Sequence, residues 1–402
     1  MRQLNFLSFI LLVVLGCCKE PQQPKTTNQV EMLWKIPLSS GEETGSTNPI
    51  LYKDFIVYAA NDNGDINKSK LIALNKATGE KVWQWKNIHQ NVGYVPRIHT
   101  YQKDNILIVP ILGRIYQIAA INLDNGQEIW HYTLPEGGSW RITGIDNFIF
   151  QIRGNFDRMK EEIFVADIRT GVWKSIYTAS NVNAPIYIQG MHTYRNLSNT
   201  KYLAFLVAKY KDFSFTETES TIYKYDIDSS KVVSQRKLDF LKKNANPVLE
   251  IVDSYRFWLK NEPVYSLLES TLEKELDIQI PLISNVSGNI AVSNNKLFMP
   301  TIDKLFCFNA TTGQQLWQED SNTSGSPSRI LAYNDVVYYT SNGDGRFHAI
   351  DATNGKTIAD IASPDKKPNG QGGFDGVVTL DTINKRIYTA TYFSAICYKM
   401  PK

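Results

Sequence analysis

The sequence predicts an all-β fold: an eight-bladed β-propeller of four-stranded antiparallel blades, its ring closed by the N-terminal strand. Three observations predict it: a recurring motif, short alternating strands around each copy, and chain ends that each hold part of one unit. The eleven residues ALNKATGEKVW, Ala73 to Trp83, recur as AINLDNGQEIW from Ala120 to Trp130 and CFNATTGQQLW from Cys307 to Trp317. AIDATNGKTIA, Ala349 to Ala359, lacks the final Trp, and VADIRTGVWKS from Val165 and KYDIDSSKVVS from Lys224 are weaker copies. The turn positions Gly79, Gly126, Gly171, Ser230, Gly313 and Gly355 lie 47, 45, 59, 83 and 42 residues apart by subtraction, so the interval of 83 holds two units with one eroded copy between them. A period in the forties with several short strands per unit points to a propeller or a similar array rather than a single-core fold.

Taken in order, residues 1–17 read as a lipoprotein signal. Arg2 supplies positive charge, Phe6 to Leu15 an apolar stretch, and Val14-Leu15-Gly16-Cys17 a lipobox that makes Cys17 the lipidation site. The stretch is too short for a comfortable transmembrane helix. An ordinary secretory signal with a coincidental Cys is the alternative. Several acyl chains on Cys17 would anchor stably where one would be marginal. Position 18 is Cys rather than Asp, so nothing there signals inner-membrane retention. Residues 18–30 are polar and Pro-containing and read as a disordered tether.

Residues 31–402 form the propeller. EMLWKIPL, 31 to 38, is an orphan outer strand carrying Trp34. Runs such as DFIVYAA (54–60), NILIVPI (105–111), KLFMPTI (296–302) and DVVYYTS (335–341) read as strands, punctuated by Asn, Asp and Gly turns that make successive hairpins. Seven units end in their own outer strand, near Trp83, Trp130, Trp173, Val233, residues 274–280, Trp317 and Ile358. The eighth, from about Phe374, stops at SAICYKM and lacks an outer strand. Residues 31–38 complete it and leave no open edge between first and last blades. Within the motif, Ala73 is small where blades press close, Gly79 supplies the positive φ of a tight turn, and Trp83 packs on the next sheet. Truncating such a Trp costs about 3–5 kcal/mol. The structural docking set is Trp34, Gly79, Trp83, Gly126, Trp130, Gly313, Trp317 and Gly355.

Chemistry-bearing constellations are sparse. Cys307 and Cys397 occupy the same repeat position two blades apart, too far for a disulfide, and read as small buried residues. His89, His99, His131, His192 and His348 are scattered without metal-ligand spacing, so no catalytic or metal site is assigned. Asn61, Asn63 and Asp65 have the odd spacing of a calcium loop, but Gly64 is misplaced and no Glu follows, which favours a solvated turn. SPDKKPNGQGGFDG, Ser363 to Gly376, lacks the strand-to-helix context of a phosphate loop and reads as a linker and a candidate contact surface. KYKDFSFTETES, Lys209 to Ser220, lengthens blade four. Its Tyr210, Phe213 and Phe215 alternate with polar residues, so that one face of a protruding hairpin either presents an aromatic partner contact or extends the packing of the blade. Blade five, Arg256 to Pro281, has lost its docking Trp through drift or through shaping by a partner.

The motif Ala-x-Asp/Asn-x-x-Thr-Gly-x-x-x-Trp resembles the tryptophan-docking repeat of the pyrroloquinoline quinone (PQQ)-like propeller superfamily, over nearly everything after residue 30. Within it, an acylated eight-bladed precursor of this length is most similar to the BamB group of outer-membrane assembly lipoproteins. That resemblance implies a non-enzymatic, lipid-anchored scaffold that binds other envelope proteins as a monomeric propeller. It places the chain at the outer membrane, on the periplasmic side rather than the cell surface. Quinoprotein dehydrogenases share the repeat but generally carry a calcium site, a catalytic Asp and often a vicinal disulfide; none can be matched here, and Cys17-Cys18 belongs to the lipobox. No cofactor is expected on the leading reading. A PQQ- or ligand-binding propeller, or a surface lipoprotein binding glycan or peptide, remains the alternative. A net charge of +3, with Lys and Arg spread along the chain, gives no footprint for nucleic acid.

Overall fold

The computed structural model describes residues 30–401 except 39–48, 63–64, 87–99, 112–115, 135–137, 155–158, 216, 242–246, 252–254, 261–262, 281–288, 302–303, 321–328, 342, 369 and 375. Cys17 and nearly all of the tether therefore lie outside the described residues, as do His89, His99 and the centre of the calcium-like loop. Eight four-stranded antiparallel sheets account for the secondary structure, with no α-helix among the described residues. Blades one to seven take consecutive strands within 50–86, 101–133, 138–180, 186–237, 248–278, 291–320 and 331–362.

Blade eight is composite. Thr379–Asp381, Arg386–Ala390 and Ser394–Lys399 are followed in the sheet by Met32–Pro37, so the N-terminal strand closes the ring. The first strands of neighbouring blades touch one another, as in Gly138–Ile145 with Ile186–Arg195 and the latter with Val248–Ile251, and they surround a central channel. Antiparallel order then puts the turns between first and second and between third and fourth strands on one face. The second-to-third hairpins and the blade-to-blade connections occupy the other face.

Seven of the eight outer strands carry the same irregularity. Ala73 opposes Trp83 and Leu74 opposes Lys81, which leaves Val82 out of the ladder as a β-bulge. The bulge recurs at Ile129, Val233, Glu275, Leu316 and Ile358. It recurs across the closure as well: Cys397 opposes Trp34, Tyr398 opposes Met32, and Leu33 is skipped. The extra residue is turned outward, which is why Leu33, Val82, Ile129, Val233 and Leu316 are exposed although apolar.

The motif's turn residue takes positive φ in every copy: +78° at Gly79, +74° at Gly126, +65° at Gly171, +71° at Gly313 and +75° at Gly355, and also +55° at Ser230. The eroded fifth copy is now located, because Leu272 has φ +60° and Ser266 opposes Leu276 as Ala73 opposes Trp83. A left-handed Leu costs on the order of 1–2 kcal/mol. Leu272 is fully buried in the cluster between blades four and five, and that burial offsets the backbone cost. In blade three the bulge sits two residues further along the outer strand, between Ile163 and Phe164 on the facing strand, so Ala166 opposes Trp173. Trp173 consequently faces back towards blade two, packing beside Ile106, Ile118 and Ala120.

Candidate interaction surface

Four tryptophans join blades in one way. Trp83 Nε1 donates to the Leu123 carbonyl at 2.9 Å, Trp130 to Ile168 at 2.7 Å, Trp317 to Ala352 at 3.1 Å and Trp34 to Lys76 at 3.3 Å. Each acceptor is the fourth residue of the next copy, and each indole lies on that copy's turn glycine. A Cβ placed on Gly126 would stand 2.5 Å from Trp83 Cε3, on Gly171 2.7 Å from Trp130 Cδ2, and on Gly355 2.8 Å from Trp317 Cε3. Glycine there meets two demands, a left-handed backbone and room for an indole. Gly79 is covered by both Trp34 and Ile36, whereas Gly313 is covered by Ile278.

At two of the seams that lack the Trp, ions take its place. Arg256, buried in blade five, donates Nη1 to the Ala310 carbonyl at 2.7 Å, the acceptor that an indole reaches elsewhere. Glu275 holds the guanidinium in a two-point pair, with Nε and Nη2 at 2.6 and 2.8 Å. Between blades four and five, Lys224 pairs with Glu269, which also accepts from Tyr194 Oη at 2.7 Å. Lys224 and Glu269 are both buried, and the ammonium lies 4.1 Å from the centre of the Tyr202 ring. Burial followed by the Glu269 contact pushes the Tyr194 hydroxyl far above its ordinary range, so it stays a donor. Sequence reading missed these ions. Glu275 stands at the bulge position that is aliphatic in the clear copies, and that charge was a legible signal.

Blade four also departs in length. Lys201–Tyr210 is ten residues long, and the chain then turns over 211–217 before Thr218–Asp226. The turn corrects the expectation of one continued strand face, because Phe215 adopts φ +60° and folds its ring edge-on to Tyr210 at 5.0 Å. Tyr210 packs in turn on Tyr187 and is half-buried, whereas Phe213 and Phe215 are 55% and 48% exposed. Below the hairpin lies an open cleft of about 550 Å³, bordered by Asn181, Lys209, Glu219, Lys237, Asp239 and Leu241. Asn181 Nδ2 ties the preceding connection to the Tyr210 carbonyl at 3.0 Å, which sets Val182, 82% exposed, beside the cleft. Val182, Phe213 and Phe215 are thus exposed apolar residues on the two segments that border the cleft, without lining it themselves.

The linker from Ser363 to Gly376 is exposed over much of its middle but pinned near both ends. Phe374 is fully buried against Phe347 and Tyr398, and Asp365 accepts from Thr391 and from Lys35 Nζ, the latter at 2.7 Å. It acts as a strap across blades seven and eight and onto the closing strand.

The remaining singled-out groups are spread through the ring. Cys307 lies between blades six and seven and Cys397 between blades eight and one; both are free and buried, and burial pushes each thiol up to about 12. His192 Nε2 meets the Leu249 carbonyl at 2.8 Å, and His348 lies 2.9 Å from Asp344 while stacking on Tyr339. Among the described residues, no three His, Cys, Asp or Glu side chains could share a metal ion. The central channel, about 500 Å³, is bordered by residues in and just before the first strands, including Gln102, Asn289, Arg329 and Thr379, with no carboxylate among its described lining. The described lining offers amide and hydroxyl oxygens from Gln102, Asn289 and Thr379 but no carboxylate, the ligand that calcium sites usually include.

The family model described as outer membrane protein assembly factor BamB matches residues 27–209 and 211–360. BamB from Moraxella catarrhalis superposes with a TM-score of 0.59 at 14% identity, over 93% of this chain and 98% of that one. Quinohemoprotein alcohol dehydrogenase ADHIIG from Pseudomonas putida HK5 gives 0.63 at 12% identity, over 94% and 77%. A europium-containing methanol dehydrogenase gives 0.61 at 11% identity, over 90% and 84%. At such identities these structures share the fold alone. No curated protein matches the chain by sequence.

Proposed function

We propose, from the premise that this chain belongs to the family of the outer membrane protein assembly factor BamB, that it is a non-enzymatic scaffold of the cell envelope. On this reading Cys17 is acylated, the propeller stands on the periplasmic side of the outer membrane, and its partners are proteins of outer-membrane assembly. The single observation that carries a binding role is the blade-four hairpin. It holds Phe213 and Phe215 in solvent beside a cleft edged by charges, the pattern of apolar anchors within a polar rim.

Affinity purification of the full-length acylated protein from its native envelope, followed by mass spectrometry, tests this reading. Co-purification of barrel-assembly proteins is expected, with loss of capture on replacing Phe213 and Phe215 by Ser and no change in melting temperature. Recovery of the protein alone would refute the scaffold assignment. The dehydrogenase neighbours motivate a second reading, a ligand-binding channel, which calorimetric titration with PQQ and calcium would detect.

A further inference from the structure

We infer that the face bearing the Thr-Gly turns, at the lower edge of blade eight, rests against the phospholipid headgroup surface of the membrane in which Cys17 is anchored. The inference rests on the acylation proposed above and adds an orientation to it. Three observations converge on that edge.

The first is where the chain enters the ring. Met32–Pro37 runs antiparallel to Ser394–Lys399, with Met32 opposite Tyr398 and Pro37 opposite Ser394. Glu31 therefore lies at the end of blade eight where Lys399 N meets its carbonyl at 2.9 Å. That end also holds the 382–385 turn, since Arg386 opposes Lys399 and Met400 N donates to the Lys385 carbonyl. Thirteen residue-to-residue steps lead from Cys17 to Val30 and span at most about 45 Å. Climbing the outside of blade eight to the opposite face would consume about 20 Å of that reach. The turn face is the one the connector reaches without such a detour.

The second is exposed apolar surface. Ile383, at the tip of the 382–385 turn, is 89% exposed, the highest value among the large apolar residues described. Met32 and Leu33 are exposed on the outer strand of the same blade, three strand spacings or about 15 Å away. An isolated Ile on a polar turn has no packing role, but it can enter the headgroup region of a bilayer.

The third is charge. Lys385, Lys399 and, on the neighbouring turn of blade seven, Lys356 are all exposed. Lys399 pairs with Glu31 at 3.0 Å, and Asp381, the carboxylate flanking the 382–385 turn, is buried and accepts from Asn384 Nδ2 at 2.8 Å. Lysines around an exposed aliphatic tip suit a phosphate-bearing surface, which attracts each cation by about 1 kcal/mol near anionic lipid. The blade-four hairpin is on the opposite face, so the same orientation turns it towards the periplasm.

The test uses full-length acylated protein reconstituted in phosphatidylethanolamine–phosphatidylglycerol vesicles, in a Cys18→Ser background. Ile383→Cys and, on the opposite face, Phe213→Cys each carry an environment-sensitive fluorophore, and spin-labelled lipid serves as quencher. Loss of fluorescence at position 383 with none at 213 is expected. Equal quenching at both, quenching only at 213, or none at either overturns the orientation while acylation stands. Mass spectrometry of the N-terminal peptide separates the premises: an unmodified Cys17 would overturn the anchoring and this inference together.

Discussion

Replacing Trp34 by Ala removes the indole that joins the last blade to the first. Trp34 is 9% exposed, lies over Gly79 and contacts Tyr388 at 5.9 Å between ring centres. Truncating a buried Trp costs about 3–5 kcal/mol in lost burial and residual cavity. The lost hydrogen bond adds little, because the Lys76 carbonyl keeps Arg386 Nη1 at 2.5 Å and Tyr388 Oη at 2.9 Å. A cost near 4 kcal/mol, divided by an unfolding entropy of about 0.8 kcal/mol/K for a domain of this length, lowers the melting temperature by roughly 5 °C. Trp173→Ala is the control: it is half-buried, faces backward and makes no indole hydrogen bond among the described residues. Its loss should cost about 1–2 kcal/mol and about half that shift or less. Scanning calorimetry compares the two. Equal shifts, or a larger one for Trp173→Ala, would refute ring closure through Trp34.

Three further substitutions probe the other seams. Arg256→Ala leaves Glu275 and the Ala310 carbonyl without their main donor and should destabilise by about 3–5 kcal/mol in denaturant titrations; a double-mutant cycle with Glu275→Gln should show strong coupling. Gly126→Ala should be worse than Gly313→Ala, because both force a positive φ but only the first drives a methyl into an indole at 2.5 Å rather than an Ile at 3.2 Å. Asp365 is raised by burial but lowered more by Lys35, Thr391 and Ser394, so its carboxyl sits below the ordinary range. A depressed carboxylate contributes stability above its unfolded value, about 3.9, and loses it as pH falls through the lower folded value. Asp365→Asn should therefore flatten the acid limb of the stability profile below pH about 4, and an unchanged limb in acid titration would remove the strap from the account.

The repeat made the architecture legible because the turn residue and the bulge are backbone requirements, and backbone requirements recur. Ser230 and Leu272 show why a glycine search falls short: the left-handed position persists after the glycine has gone, held by packing around it. The candidate site was harder to read. The alternation of Tyr210, Phe213 and Phe215 suggested one strand face, but alternation has meaning only while the chain stays extended, and it turns after Tyr210. In the Ser363 to Gly376 linker the Gly and Lys content was legible, but the burial of Phe374, which pins its end, was not.

The loss of the docking Trp from blades four and five has a physical counterpart in what replaced it. An indole on a glycine tolerates small sliding, since most of its contribution is non-directional burial. A two-point Arg256–Glu275 pair, and a buried lysine shared by Glu269 and the Tyr202 face, fix distance and angle together. Buried ion pairs often add little net stability, because desolvation cancels much of their attraction, but breaking one is expensive. Their effect is to resist shear between blades four, five and six. Blade four also has two strands of ten residues, the projecting hairpin and the external cleft. A partner pulling on a hairpin applies shear to the blade that bears it, and the polar seam lies between blade four and the blade that follows. On that argument the departures from the repeat in blades four and five are one feature: a lever and the joint that keeps it from slipping.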